Sequence, residues 1–210
     1  MVHEGGHALH SVLTATLPLL SYKNFPSEVA ELASMSMELF SMEHWDVFFS
    51  KSDELKRAKK DHLEQIIETL PWVATIDAFQ HELYTHAGES IENRLQRWVN
   101  VSSRFYAKQV DWTDYEHFRI HSWQKQLHLF EVPFYYIEYG MAQLGAIALW
   151  RNYKQNPQKT LHQYKEALSL GYTCSIPTIY EKAGIKFDFS PEYIKDLMSF
   201  VQSELNDLED

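Results

Sequence analysis

Apolar residues recur at helical spacing along most of the chain. In the longest such stretch they lie three or four positions apart, at Leu63, Ile66, Ile67, Leu70, Val73, Ile76, Phe79 and Leu83. This spacing is typical of an amphipathic helix. The segments "SIENRLQRWVNVSSRFYAKQ", "PFYYIEYGMAQLGAIALWRNYKQNP" and "TLHQYKEALSLG" show similar patterns. Clean alternation of apolar and polar residues is scarce, so the sequence predicts an all-α fold.

Candidate capping and breaking residues bound these helices. Ser52–Asp53 and Ser190–Pro191 are typical of helix starts, because Ser and Asp accept from free backbone N–H groups and Pro suits the first turn. Gly88 indicates a stop, and Pro71 predicts a kink. No Ser/Gly/Pro-rich linker or internal repeat interrupts the pattern, so residues 1–210 are expected to form a single helical domain.

Composition excludes several function classes. The 210 residues are 45% hydrophobic, which is enough for a packed core, and the formal net charge of −10 argues against nucleic acid or an anionic membrane as partner. The sequence has no run of 18 apolar residues, which argues against a membrane span. Its single cysteine, Cys174, excludes an internal disulfide and fits a reducing compartment, hence a cytoplasmic location.

The segment "HEGGH" at residues 3–7 has the spacing of a catalytic metal motif. Residues four apart in a helix lie about 40° apart around its axis, so His3 and His7 point to one centre. Glu4 lies beside that centre, where a carboxylate can move protons to and from a water molecule. The alternative is a helix with surface histidines. "HELYTH" at 81–86 has histidines five apart, which favours a structural role and a surface pair of Glu82 with His86.

A third ligand is expected from the segment "FPSEVAELASMSMELF". Glu28, Glu31, Ser34 and Glu38 follow one stripe of a predicted helix, opposite apolar residues. A metal would explain acidic residues on such a helix, and a solvated face is the alternative. Spacing alone leaves both Glu28 and Glu31 as candidates.

"HEGGHALH" followed by "AELASMSMEL" resembles the thimet oligopeptidase/oligoendopeptidase F family of zinc metallopeptidases. In that family an E-x-x-S-x-x-x-E pattern follows the H-E-x-x-H helix. The resemblance implies one Zn²⁺ held by His3, His7 and Glu31, with Glu4 as the catalytic base. It also implies that Glu38 accepts a hydrogen bond from a ligand histidine and so fixes the tautomer of that ring.

A second block, "HLFEVPFYYIEYGMAQLGAIALW", extends the resemblance. It implies that His128, Tyr136 and Tyr139 stabilise the oxyanion formed at the scissile carbonyl. A tyrosine hydroxyl suits that role, because it donates a hydrogen bond without bringing a charge. Val132 stands about where the family has another tyrosine, and aromatic core packing is the alternative for the whole block.

A third block, "LSLGYTCSIPTIYEKAGIKFDFSPE", resembles the oligoendopeptidase F branch. The resemblance implies a mobile loop at Gly171 that offers backbone donors to a substrate. Tyr172 and Tyr180 are further candidates for contact with a bound peptide. Exposed tyrosines are common, so each remains a weaker candidate than the metal ligands.

The resemblance covers nearly all of the chain but only the C-terminal part of the family's usual length. It implies a zinc endopeptidase domain that cleaves short unfolded peptides, and a missing N-terminal domain that forms the other wall of a channel. The chain then starts inside the catalytic helix, as a natural or artificial truncation would leave it. A frayed first turn predicts weak zinc binding and little activity. The alternative is a truncated, non-catalytic helical fragment whose zinc site is not assembled.

Overall fold

The structure, a computed structural model, describes residues 1–107 and 109–209 and contains no β-strand within them, which confirms the all-α prediction. Its α-helices, in chain order, are α1 (Val2–Thr14), α2 (Leu20–Lys23), α3 (Ser27–Ser41), α4 (Ser52–Thr85), α5 (Ile91–Ser102), α6 (Glu116–His121), α7 (His128–Glu131), α8 (Ile137–Gln155), α9 (Pro157–Ser169), α10 (Ile176–Lys182) and α11 (Pro191–Glu209). Two 3₁₀ turns, Met42–Val47 and Ser122–Lys125, follow α3 and α6.

The described chain falls into two compact units. The first contains Met1–Ile66 and the chain from Met141 onwards, and the second contains Ile67–Gly140. Both boundaries lie inside helices, in α4 and α8. The expectation of one domain over residues 1–210 stays a prediction.

In the first unit, α1 packs tightly against α3. A Cβ atom added at Gly6 would lie 2.5 Å from the Ser34 Cα and 2.7 Å from the Ala33 carbonyl oxygen, so only glycine allows this approach. The buried Tyr164 of α9 donates a hydrogen bond to the same Ala33 oxygen over 2.7 Å. These contacts fix the facing sides of α1 and α3.

The core of the second unit is aromatic. Ile76, Phe79, Trp98, Val101 and Trp123 are buried together there. The Trp98 indole nitrogen donates to the Arg119 carbonyl oxygen over 2.9 Å, which satisfies its polar edge. This core anchors α4, α5 and the short turns that follow.

The helix ends follow the sequence closely. α4 begins at Ser52 and ends at Thr85, three residues before Gly88, while α11 begins at Pro191. Ser190 accepts from the Tyr193 backbone N–H over 3.3 Å, as a capping residue does. Pro71 lies inside α4, which continues as one helix on both sides of it. Among the described helices, none combines the length and apolarity that crossing a membrane requires.

Candidate active site

Helices α1 and α3 bring three possible metal ligands together. One ligand atom each from His3, His7 and Glu31 lies within 4.8 Å of the other two. A Glu31 carboxylate oxygen is 3.4 Å from His3 Nε2 and 3.9 Å from His7 Nε2. The two imidazole rings meet edge to face, with centroids 4.9 Å apart. Within residues 1–107 and 109–209, no other group of His, Cys, Asp and Glu side chains has this geometry.

The Glu31 carboxylate is largely buried and lies on the side of α3 that faces the two histidines of α1. Glu31 is only 9% exposed, and its neighbours Leu32 and Ala33 belong to the core. The Ser34 hydroxyl lies 3.1 Å from a carboxylate oxygen of Glu31 and can donate to it. A buried carboxylate needs such partners, because leaving water costs an unpaired charge several kcal/mol. Glu28, the other candidate ligand, is outside the three-residue group.

Glu38 contacts the opposite nitrogen of a candidate ligand. Its carboxylate oxygen lies 3.1 Å from His3 Nδ1. A hydrogen bond from Nδ1–H to this carboxylate leaves Nε2 as the free lone pair, which faces Glu31. The half-buried His62 lies near this carboxylate. Burial lowers the pKa of His62, and the negative charge of Glu38 opposes that shift.

Glu4 lies on α1 directly after His3 and is exposed to solvent. Its position, one residue past a candidate ligand, leaves it outside the three-residue group.

The second segment with two nearby histidines, "HELYTH" at residues 81–86, forms no such group. The exposed His86 pairs with Glu82 over 3.4 Å, and the exposed His81 pairs with Asp77 over 3.6 Å, each with the residue four positions earlier. The predicted surface pair of Glu82 and His86 is therefore present.

In the second unit, the structure groups the three predicted oxyanion donors. The His128 ring lies 4.8 Å from the Tyr136 ring and 5.7 Å from the Tyr139 ring, centroid to centroid. The two tyrosine rings are 5.4 Å apart. Burial raises the pKa of Tyr136, and hydrogen bonds from Trp72 and Gln126 partly offset that shift. Tyr136 is therefore a neutral donor at physiological pH.

The model of one protein family, described as peptidase family M3, matches residues 1–199. This chain belongs to that family. Family M3 is a family of metallopeptidases, which implies a metal. The match includes both the "HEGGH" segment and the His128 block.

Known relatives of this M3 chain are larger. An oligoendopeptidase F homolog from Lactococcus lactis subsp. lactis (strain IL1403) is 24% identical over the whole chain, which spans 35% of that protein. A solved structure of a candidate oligoendopeptidase F from Bacillus anthracis str. Ames is 25% identical with a TM-score of 0.79, and the match covers 100% of this chain and 34% of that one. Pz peptidase A, solved with an inhibitor, has the same fold at a TM-score of 0.84 and 24% identity, over 98% of this chain and 36% of its own.

The M3 chain thus spans about a third of the length of the relatives that it matches. This agrees with the expectation that members of the family are usually much longer than this sequence.

The loop residues of the M3 chain differ in exposure. Gly171 has a φ of +52°, and a Cβ there would lie 2.3 Å from the Tyr22 carbonyl oxygen, so glycine is required. The next backbone N–H, of Tyr172, donates to that same oxygen over 2.8 Å. The Tyr172 side chain is half exposed, whereas Tyr180 is fully buried and directs its hydroxyl to the Glu28 carbonyl oxygen. Tyr180 therefore has the geometry of a core residue, and of the two tyrosines only Tyr172 has a side chain exposed to solvent.

Sequence reasoning missed two residues, one in each unit, that help to position the candidate groups. Gly6 allows α1 to reach α3, and Gln126 contacts the candidate donor His128 over 2.6 Å. The Gly5-Gly6 pair could have signalled a close helix crossing. Nothing in the local sequence distinguishes Gln126 from the other glutamines, since its partner Trp72 lies 54 positions away.

Proposed function

We propose that this chain is the catalytic part of a zinc metalloendopeptidase of the oligoendopeptidase F kind, and that His3, His7 and Glu31 hold one Zn²⁺. The observation that carries the proposal is the convergence of these three ligand atoms within 4.8 Å. Two imidazoles and one carboxylate are a donor set that suits catalytic zinc, with a further position left for water or substrate. Zinc supplies a Lewis acid that polarises the scissile carbonyl and makes water more acidic.

Glu4 is the proposed general base and acid. As an exposed carboxylate beside His3, it accepts the proton of the attacking water. It then returns that proton to the amine that leaves when the peptide bond breaks. Glu38 keeps the His3 ring in place through their 3.1 Å contact, so that Nε2 stays directed toward the ligand group.

The second unit supplies the proposed oxyanion donors, His128, Tyr136 and Tyr139. They stabilise the negative charge that develops on the carbonyl oxygen as water attacks. Neutral donors suit this role because burying them does not require the desolvation of a charged group. Tyr172 is proposed to contact the peptide, and Gly171 and Tyr180 are left out because both are buried.

The proposed substrates are short unfolded peptides, and the proposed partner in cis is the N-terminal part that longer family members carry. A cytoplasmic location agrees with the single cysteine and remains part of the proposal. The competing function is that of a helical fragment that does not assemble its zinc site.

Zinc titration of the metal-free 210-residue chain tests the ligand set. We expect weak but saturable binding of one Zn²⁺ per chain, measured by isothermal titration calorimetry. His7→Ala and Glu31→Gln should abolish saturable binding. His162→Ala is the matched control, because His162 is an exposed histidine of α9 paired with Glu166.

Peptide cleavage separates enzyme from fragment. With zinc present, cleavage of a quenched fluorescent peptide that Glu4→Gln abolishes would support the catalytic proposal. Zinc binding without any cleavage would assign the metal site but leave catalysis to the longer protein. Loss of saturable binding in His162→Ala, or its survival in His7→Ala, would contradict the ligand set.

A further inference from the structure

Gln126 links an indole to the candidate donor His128. Its side-chain oxygen accepts from the Trp72 indole nitrogen over 3.0 Å, and its side-chain nitrogen lies 2.6 Å from His128 Nδ1. Gln126 is 9% exposed, so water has little access to the amide. The three residues all belong to the second unit.

The chemistry of Trp72 fixes the direction of this chain of hydrogen bonds. An indole N–H donates and never accepts, so the Gln126 atom that lies 3.0 Å from it is the amide oxygen. The Tyr136 hydroxyl also hydrogen-bonds with both side chains. The Gln126 NH₂ group is then turned toward His128, and it too donates. His128 Nδ1 must therefore be the acceptor and carries no hydrogen. In a neutral imidazole the hydrogen is then on Nε2.

Aromatic neighbours hold the plane of the same ring. His128 lies parallel to the Tyr135 ring, with 5.9 Å between centroids, and edge-on to Tyr139 at 5.7 Å. Stacking controls where a ring lies but does not choose which nitrogen carries the hydrogen. That choice depends on the hydrogen bond at Nδ1.

We propose that Gln126 is a positioning residue that holds His128 in the tautomer with hydrogen on Nε2, which is the form able to donate to an oxyanion. The value of this tautomer to catalysis rests on the proposed function, in which His128 is an oxyanion donor. The tautomer itself does not depend on zinc or on turnover. A folded chain with no peptidase activity can therefore still confirm or contradict the role of Gln126.

Long-range ¹H–¹⁵N NMR of the ¹⁵N-labelled 210-residue chain tests this role directly, because it shows which imidazole nitrogen carries hydrogen. Spectra are recorded at a pH of about 8, well above the ordinary pKa of histidine. The His128 signals are assigned by their loss in His128→Asn. In the unaltered chain we expect hydrogen on Nε2. Hydrogen on Nδ1 would overturn the proposal.

Gln126→Glu is the decisive variant, since a free imidazole already favours Nε2–H. A carboxylate still accepts from Trp72 but can no longer donate to His128, so the hydrogen should move to Nδ1. Gln96→Glu is the matched control, because it places the same charge at an exposed site in the same unit. It should leave His128 unchanged. An unchanged His128 in Gln126→Glu would overturn the proposal.

A second variant decides the question if Gln126→Glu does not fold. Trp72→Phe keeps an aromatic ring but removes the donor that fixes the amide. The Gln126 side chain can then turn over, and a measurable population with hydrogen on Nδ1 should appear. His128 signals identical to those of the unaltered chain would show that Trp72 and Gln126 do not set the tautomer.

Discussion

Gly6 positions the candidate metal-ligand group without contributing a side chain to it. A Cβ at this residue would lie 2.5 Å from Ser34 Cα, closer than real side chains approach a backbone. Glu31 and Ser34 occupy the facing stretch of α3, so the close approach brings His7 within 3.9 Å of the Glu31 carboxylate. The preceding residue, Gly5, is also a glycine of α1, but an added Cβ there would have nothing within 4 Å.

Gly6→Ala should lower the free energy of unfolding by about 1–3 kcal/mol, because the added methyl group separates α1 from α3. The same separation should weaken zinc binding. Urea denaturation and calorimetry measure both effects. Gly5→Ala is the control and should stabilise α1 by up to about 1 kcal/mol, since alanine favours helix. Equal effects of the two substitutions would contradict the close crossing.

His10 makes stability depend on pH. It is fully buried and stacks on Phe25, with 3.5 Å between ring centroids. Burial, with a further contribution from nearby His7, lowers the pKa of His10 to about 4. Between the ordinary histidine value of about 6.5 and this value, the unfolded chain binds more protons than the folded one. Folding stability therefore falls as the pH decreases through that range.

His10→Leu should remove this dependence. From pH 7 to pH 4, the unfolding free energy of the unaltered chain should fall relative to that of the variant by about 3 kcal/mol. Urea denaturation with a chelator present, at pH values across the range, provides the measurement. His162→Leu removes an exposed histidine and should leave the dependence intact. Parallel pH profiles for His10→Leu and the unaltered chain would exclude His10 as the cause.

At the scale of elements, the long helices and the short α10 were predictable, whereas α6 and α7 were not. The apolar period, the cap at Ser190 and the motif at His3–His7 predicted α4, α11 and α1. α6 and α7 have six and four residues, too few to show a period. The contact of Gln126 with Trp72 joins positions 54 apart, so local pattern could not reveal it. The pairing of Glu31 with both histidines was expected from family resemblance rather than from spacing.

Pro71 is the element-scale exception, because a helix interior normally excludes proline. It lacks the N–H that would bond to the preceding turn, and its ring crowds that turn. The helix nevertheless continues through Pro71, and the Thr75 hydroxyl donates to the Pro71 carbonyl oxygen over 2.7 Å. We expect Pro71→Ala to raise the unfolding free energy by about 1–3 kcal/mol. Thermal denaturation provides the measurement.

Pro157→Ala is the matched control for Pro71→Ala. Pro157 is the first residue of α9, where a missing N–H costs nothing because that group has no helical partner. The control should therefore bring no gain in stability. A similar gain at both prolines would mean that α4 carries no strain at Pro71.

At the scale of the whole molecule, the chain corresponds to about a third of its relatives. The candidate zinc ligands belong to the first compact unit and the candidate oxyanion donors to the second. The zinc titration concerns residues of the first unit alone, and the tautomer of His128 concerns residues of the second unit alone. Both experiments use the whole 210-residue chain. Tests of catalytic rate belong to a longer protein that carries this sequence.

In such a longer protein, Tyr139→Phe should lower kcat by roughly two to three orders of magnitude with little change in KM. Only a hydroxyl is lost, so the fold should persist, as circular dichroism can verify. Tyr115→Phe is the control, because Tyr115 is exposed in the same unit. Unchanged kcat in Tyr139→Phe would return Tyr139 to a packing role.

If α1 tilted with its contact at Gly6 as the pivot, the two candidate ligands on this helix would move by unequal amounts. Along the helix axis His7 lies about 1.5 Å from the pivot and His3 about 4.5 Å. A tilt of α1 by about 10° would move the backbone of His7 by roughly 0.3 Å and that of His3 by roughly 0.8 Å. Metal–ligand distances tolerate only about 0.2 Å. The position of His3, near the N-terminal end of α1, therefore needs a restraint of its own. The contact of His3 with Glu38 provides one.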